Sequence, residues 1–220
     1  MDSETPERTL ESWRRAFADT LLDDQNTESR PGRCAQSEMS PRLSYGRHFG
    51  PALPSTRPAA VMILIARIQG QWQVPLTVRP EHLRSHAGQV SLPGGAQEPG
   101  ETNQQAALRE LAEELGCDTS SVEVIARLSP IYVYNSGFLV TPWVGVADQI
   151  LSFEADPNEV ADWFSVPIAD LCQWSGDSDK QITRGGIRFS APKFAYGQRE
   201  IWGATSMILS ELQVLLKSAL

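Results

Sequence analysis

Residues 92–117 of this 220-residue chain read LPGGAQEPGETNQQAALRELAEELGC. A loop rich in Gly and Pro leads here into a run without helix breakers, which predicts a helix over residues 103–115 that Gly116 ends. At roughly 100° per residue, the Leu and Ala side chains of its last two turns fall within about 60° of Leu108. The helix therefore has one apolar face that can join a hydrophobic core.

Three glutamates lie on the other side of this helix, namely Glu110, Glu113 and Glu114. Glu110 and Glu114 are four residues apart, so their like charges repel by roughly 0.2–0.5 kcal/mol unless something neutralises them. A divalent cation would reverse the sign of this interaction, and carboxylate oxygens suit Mg²⁺ or Mn²⁺. Taken alone, such a face is more often solvated surface, so both interpretations stand on this evidence.

The spacing of the surrounding residues favours the cation. The fixed positions are Gly95, Glu101, Arg109-Glu110-Leu111, Glu113-Glu114 and Gly116, and together they reproduce the spacing of the Nudix box. The chain thus resembles a Nudix hydrolase, with Cys117 standing where that family prefers an aliphatic residue. The resemblance implies an α/β fold, specifically an α/β/α sandwich with a mixed β-sheet and a loop-helix-loop catalytic motif. It also implies hydrolysis of a nucleoside diphosphate linked to another group, by attack of water at phosphorus.

The same resemblance implies roles for individual residues of the box. Glu110 and Glu114 correspond to the principal ligands of Mg²⁺ or Mn²⁺, Glu113 to a ligand, its support or a catalytic residue, and Gly94 or Gly95 to a carbonyl contact with the metal. Glu101 and Arg109 correspond to the structural ion pair that shapes the loop.

A general base is expected outside the box, since Nudix hydrolases often draw one carboxylate from a later segment. Glu159 lies where such a base or a late metal ligand commonly stands, and we predict it as a catalytic residue. Glu154 and Asp156 are rival carboxylates in the same stretch.

Upstream of the box, residues 76–95 read LTVRPEHLRSHAGQVSLPGG and resemble the signature of the coenzyme A pyrophosphatase subfamily. The sequence departs from that signature at Pro75, directly before the segment, and at Pro80 and Leu92 within it. It also holds the densest group of basic side chains in the chain, and guanidinium groups suit phosphate oxygens. The predicted substrate-binding residues are Arg79, Arg84, His86 and Gln89.

The leading hypothesis is a metal-dependent pyrophosphatase that cleaves coenzyme A or its thioesters to 3′,5′-ADP and a 4′-phosphopantetheine. One alternative is another Nudix specificity, such as ADP-ribose or a dinucleoside polyphosphate. A second alternative, from another class, is a Nudix-like module that senses a nucleotide without turning it over. The intact set of glutamates argues against the sensing module.

Composition restricts the partners and the compartment. The chain has 19 Lys and Arg against 27 Asp and Glu, a net charge of −8, which disfavours nucleic acid as a partner. The expected partner is a small-molecule nucleotide substrate. Its longest apolar run, residues 59–66, is far shorter than the roughly 18 residues that a membrane span needs. Three scattered cysteines predict a reducing, cytoplasmic location.

The chain divides by composition into an N-terminal helix with a polar connector, residues 1–56, and a Nudix domain, residues 57–220. Trp13 and Phe17 recur at helical spacing and can pack on the domain or on a second chain. The sequence is therefore compatible with both a monomer and a homodimer. The connector predicts a long loop or a partly disordered segment. Within the domain, the pattern predicts buried strands over 59–66 and 72–78, shorter strands near 122–128, 131–134 and 140–146, and a closing helix over 201–220.

Overall fold

The computed structural model describes residues 6–22, 32–44, 47–50, 52–82, 86–149, 151–176, 178–184 and 186–219. The helices are α1 (Pro6–Leu22), α2 (Gly32–Glu38), α3 (Asn103–Leu115), α4 (Ile168–Gln173) and α5 (Ala204–Ala219). The strands are β1 (Arg57–Ile68), β2 (Gln71–Val78), β3 (Val90–Ser91), β4 (Gly94–Ala96), β5 (Glu123–Arg127), β6 (Ile131–Val133), β7 (Phe138–Ala147), β8 (Asp162–Pro167), β9 (Ser178–Arg184), β10 (Ile187–Tyr196) and β11 (Arg199–Trp202). None of these described helices combines the length and hydropathy that a membrane crossing needs.

The main sheet is mixed and is organised around β1. This strand runs parallel to β7 and antiparallel to β2 and β4, and the central order is β3-β2-β1-β7-β5. The hairpin of β1 and β2 follows from two strongly apolar runs joined at Gly70, which turns the chain with a φ of 80°. The predicted mixed sheet is confirmed.

Helices cover both faces of this sheet, because β1 is apolar on both of its sides. Ile63 and Ile65 belong to one hydrophobic core with residues of α1 and α5. Met62 and Leu64 point the other way and pack in a second core with residues of α3. These two cores make three layers, so the predicted α/β/α sandwich is confirmed.

Helix α3 occupies the residues that the sequence predicts. Thr102 and Gln105 form a capping box at its start, each side chain accepting from the other residue's backbone N–H. Gly116 ends it in the left-handed conformation, with a φ of 61°. Both ends of the helix that carries the glutamates are therefore fixed by local interactions.

The N-terminal helix packs on the domain in cis. Trp13 and Phe17 are buried in the core that also contains α5, and the Trp13 ring meets Trp72 of β2 edge-on at 5.3 Å between centroids. Part of the segment predicted as a loop is helical, namely α2. This helix is held to the domain by Gln36, whose side chain donates to the Ser129 carbonyl and to the Glu211 carboxylate. Residues on both sides of the predicted boundary at 56/57 thus share one core, and the boundary itself stays a prediction.

The C-terminal part differs from the predicted closing helix. Ile201 and Trp202 belong to β11, and α5 begins at Ala204 after Gly203 turns the chain with a φ of 68°. Before it, β9, β10 and β11 form a separate antiparallel sheet that the sequence did not predict. Its first strand, SDKQITR, is polar at most positions, so it lacks the apolar alternation typical of strands.

Candidate active site

A cavity of about 1100 Å³ opens at the loop that precedes α3. Its floor is the first part of β1 together with β4, and its walls come from the turn between β6 and β7 and from β9 to β11. This volume is slightly above the usual range for small-molecule sites, which is roughly 300–1,000 Å³. Predicted site residues that line it are Arg79, His86, Gln89, Gly94, Glu110, Glu114 and Glu159.

Three carboxylates converge in this cavity. One oxygen from each of Glu110, Glu114 and Glu159 lies within 4.8 Å of the others. Glu110 and Glu114 lie on adjacent turns of α3. Glu159 belongs to a loop whose backbone is hydrogen-bonded to the end of that helix. The Glu154 amide donates to the Leu115 carbonyl at 2.8 Å, and the Asp156 amide donates to the Glu114 carbonyl at 3.1 Å.

The rival loop acids face other partners. The Asp156 carboxylate accepts from both the backbone and the side-chain amide of Asn158, each at 2.9 Å, and so caps its own turn. The Glu154 side chain is exposed. Among the described residues, the converging carboxylates are Glu110, Glu114 and Glu159 only.

Glu114 is the most constrained of the three. Its side chain is 3% exposed and its Oε2 has no hydrogen-bond partner among the described residues. Burial raises the pKa of Glu114 to about 8, and the charges of Glu110 and Glu159 add to this, whereas Arg79 and the Gly94 amide oppose it. Burial also raises the pKa of Glu110. A buried carboxylate with an unpartnered oxygen, beside two others, fits a divalent cation.

Arg109 connects the predicted ion pair to the cluster. Its guanidinium donates to both oxygens of Glu101, at 2.9 and 3.2 Å, and to the Ala96 carbonyl at 3.1 Å. The remaining nitrogen donates to Glu110 at 2.9 Å and to Glu113 at 2.8 Å. Glu113 is 54% exposed and lies outside the converging group, so it reaches Glu110 only through Arg109.

Gly94 and Gly95 leave the space that the carboxylates occupy. They pair with Val61 and Ala60 of β1, which holds β4 directly beside α3. A Cβ on Gly95 would lie 2.4 Å from Oε1 of Glu110, and one on Gly94 would lie 2.4 Å from the Ala60 carbonyl oxygen. Larger residues would therefore displace a carboxylate or the strand.

The predicted substrate-binding residues lie mostly together. Arg79 exchanges backbone hydrogen bonds with Gln89 and Gly88, each 3.0 Å long, which closes the loop between β2 and β3. His86 donates from Nδ1 to the Gln89 side-chain oxygen at 2.8 Å. Arg84 lies outside the described residues. The Arg79 guanidinium makes no side-chain hydrogen bond or ion pair within the described part of the chain, and its Nε is buried.

Two basic residues that were not predicted also line the cavity, Lys180 of β9 and Arg57. Arg57 lines it from the first position of β1, beside Phe138 of β7. Arg57 belongs to no motif, and the parallel pairing of β1 with β7 brings it beside Phe138, 81 residues later in the chain.

Magnesium binding should strengthen as the pH rises from 6 to 8. Because the pKa of Glu114 is about 8, its carboxyl is mostly protonated at pH 6, and a bound cation must displace that proton. The dissociation constant is expected to fall by up to about tenfold per pH unit and to level off above pH 8. Calorimetric titration in two buffers of different ionisation enthalpy measures both the affinity and the protons released. An affinity that is constant over this range would contradict a protonated Glu114.

Comparison with known proteins places the chain in a family. The family model described as NUDIX domain matches residues 56–184. "Uncharacterized Nudix hydrolase NudL" of Yersinia enterocolitica is 38% identical over 138 residues, which cover 62% of this chain and 70% of that protein. "Nudix hydrolase 3" of Caenorhabditis elegans is 31% identical over 175 residues, covering 71% of this chain and 72% of that protein. A MutT/nudix family structure from Enterococcus faecalis aligns over 96% of this chain and 73% of its own, at 14% identity and a TM-score of 0.49.

The chain belongs to the Nudix family. It is accordingly a hydrolase of the class that acts on nucleoside diphosphate derivatives.

Proposed function

We propose that this Nudix hydrolase cleaves the diphosphate of coenzyme A or its thioesters, giving 3′,5′-ADP and (acyl-)4′-phosphopantetheine. The observation that carries the proposal is the position of Arg79, which belongs to the subfamily-like segment 76–95. Its guanidinium lines the cavity within electrostatic reach of Glu114 and has no ion pair among the described residues. It is thus available to phosphate oxygens next to the carboxylate cluster.

The size of the cavity is consistent with a substrate longer than a nucleoside diphosphate. Its walls combine phosphate-binding chemistry near Arg79 with apolar side chains of the small sheet, including Ile182, Phe189 and Trp202. A pantetheine arm is a long, weakly polar chain, and such walls suit it better than they would suit a second charged nucleotide.

In the proposed mechanism, Glu110 and Glu114 would hold Mg²⁺ or Mn²⁺, and a backbone carbonyl of Gly94 would be a further contact. The bound cation supplies a Lewis acid that offsets phosphate charge. Arg79 donates to nonbridging oxygens, and His86 with Gln89 shapes the loop that presents it. Glu113 supports Glu110 through Arg109, which the Glu101 carboxylate holds in place.

The chemical step is a displacement at phosphorus. The oxygen of a water molecule forms a new bond to one phosphorus of the diphosphate, and the bond from that phosphorus to the bridging oxygen breaks. One proton of the water passes to a carboxylate, for which Glu159 is our assignment because it is exposed at the cavity and belongs to the converging group. The bridging oxygen leaves on the second product.

A substrate panel tests the proposal. The full chain, with Mg²⁺ or Mn²⁺, is incubated with coenzyme A, acetyl-coenzyme A, ADP-ribose, a diadenosine polyphosphate and dNTPs, and the products are resolved by mass spectrometry. We expect 3′,5′-ADP and the matching phosphopantetheine, with one ¹⁸O atom in a product phosphate when the water is labelled. A Glu114→Gln sample prepared in parallel excludes contaminating phosphatases.

Other outcomes would change the assignment. Hydrolysis of ADP-ribose alone would contradict the coenzyme A specificity while leaving the Nudix chemistry intact. A protein that binds nucleotides and turns none of them over would be a sensing module instead.

A further inference from the structure

A second cationic position lies in the same cavity, away from the carboxylates. The Arg57 guanidinium lies over the Phe138 ring, with Cζ 4.1 Å from the ring centroid. One of its nitrogens donates to the Ser136 carbonyl at 3.3 Å. The side chain is exposed and lines the cavity, so its remaining N–H groups can reach a ligand.

Arg57 carries an uncompensated charge. Within the described residues, no carboxylate lies within ion-pair distance of it, whereas Arg109 meets three and Lys180 is paired with Glu200. Arg47 does not line the cavity itself, but its Cζ lies 5.5 Å from the ring centroid of Tyr134, which does line it, and Arg47 likewise forms no ion pair among the described residues. In a chain with a net charge of −8, an arginine that lines the cavity without an acidic partner among the described residues indicates an anion site.

This anion site is separate from the site of the diphosphate. Arg57 precedes Ala60 by three residues on β1, a distance of about 10 Å along a strand. Ala60 pairs with Gly95, which adjoins the Glu110 carboxylate. An anion held by Arg57 is therefore a different group from the phosphates that face the cluster.

Aromatic rings surround the second site. Phe138 and Tyr134 both come from the end of the β6–β7 hairpin and line the cavity. The His48 ring packs against Tyr134 at 5.2 Å between centroids, and its Nδ1 donates to the Tyr132 carbonyl at 2.9 Å. Flat side chains beside arginines suit a nucleobase together with a phosphate.

We propose that Arg57 binds a phosphomonoester on the ribose 3′-hydroxyl of the substrate, with the base against the aromatic side chains of the β6–β7 hairpin. This proposal deepens the proposed function and rests on it for the identity of the substrate. It makes Arg57 the residue that distinguishes a 3′-phosphorylated substrate from the same molecule without that phosphate.

The test compares coenzyme A with 3′-dephospho-coenzyme A. Arg57→Gln should lower kcat/KM for coenzyme A by about 10- to 100-fold and leave the value for the dephospho substrate within about twofold. The matched control is Arg67→Gln, because Arg67 is on the same strand and also stacks on an aromatic ring, that of Trp72 at 5.1 Å, but does not line the cavity. It should change neither value. Equal losses on both substrates, or no loss on coenzyme A, would overturn the role of Arg57.

A binding measurement separates this inference from the proposed function. By calorimetry, the wild-type chain should bind 3′,5′-ADP more tightly than 5′-AMP, and Arg57→Gln should remove the difference. If that result were obtained without any turnover of coenzyme A, the proposed function would fail and the Arg57 site would stand. If coenzyme A were hydrolysed while the variant still preferred 3′,5′-ADP, the Arg57 site would fail and the proposed function would stand.

Discussion

Replacing Glu114 by glutamine is expected to lower turnover by about 10²- to 10⁴-fold and, at the same time, to stabilise the metal-free protein. Turnover falls because the variant loses a buried carboxylate of the cluster that is proposed to hold the cation. Glutamine has nearly the same shape, so the fold should persist. Steady-state kinetics with saturating Mg²⁺ measures the first effect.

The stability effect follows from the pKa of Glu114. This pKa is 4.5 in the unfolded reference and about 8 in the folded chain, so the unfolded state releases its proton first as the pH rises. Without a cation, the Glu114 carboxyl therefore does not lower the free energy of unfolding below pH 4.5, and it lowers that free energy increasingly between pH 4.5 and 8. At pH 7 the cost is on the order of 3 kcal/mol. Urea unfolding in a chelator should show Glu114→Gln more stable than wild type by a gain of that order.

A matched control is Glu98→Gln, which changes an exposed glutamate of the loop between β4 and α3. It should leave turnover and the free energy of unfolding close to wild type. Wild-type turnover in Glu114→Gln would show that this carboxylate is not a metal ligand. Lost turnover without increased stability would show that other interactions of the metal-free fold offset the cost of burying the Glu114 carboxylate.

The part of the site that the sequence predicts best is the part that is local. The bounds of α3 and the adjacency of Glu110 and Glu114 follow from helix geometry and from caps within a few residues. The Arg109–Glu101 contact spans eight residues of one loop and helix. Such features need no knowledge of how distant segments meet.

Long-range placement was harder to predict. Residue type alone does not distinguish the three loop acids Glu154, Asp156 and Glu159. Two backbone hydrogen bonds to the end of α3 position this loop so that Glu159 reaches the cluster. No sequence motif marks Arg57 as a site residue, because its proposed role depends on the parallel strand register that sets it opposite Phe138. These contacts depend on sheet register, which a single sequence specifies only through the whole core.

The second large effect is expected from Gly95→Ala. An added Cβ would lie 2.4 Å from Oε1 and 2.6 Å from Cδ of Glu110, closer than real Cβ contacts, so the carboxylate must move. The backbone of Gly95 has no positive φ, so alanine itself should be accommodated. Turnover should fall by about 10²-fold and Mg²⁺ affinity by at least about tenfold, with a small change in melting temperature. Gly50→Ala is the matched control, since its nearest neighbour would be 3.8 Å away.

A double-mutant cycle with Glu110→Gln identifies the route of the effect. If Gly95→Ala acts by displacing this one carboxylate, it should cost little more in a chain that already lacks it, and the two losses should be strongly non-additive. Additive losses would mean that the alanine disturbs the β4–β1 pairing instead. Unchanged Mg²⁺ affinity in Gly95→Ala would contradict the role of Glu110 as a ligand, because the substitution cannot leave that carboxylate where it lies.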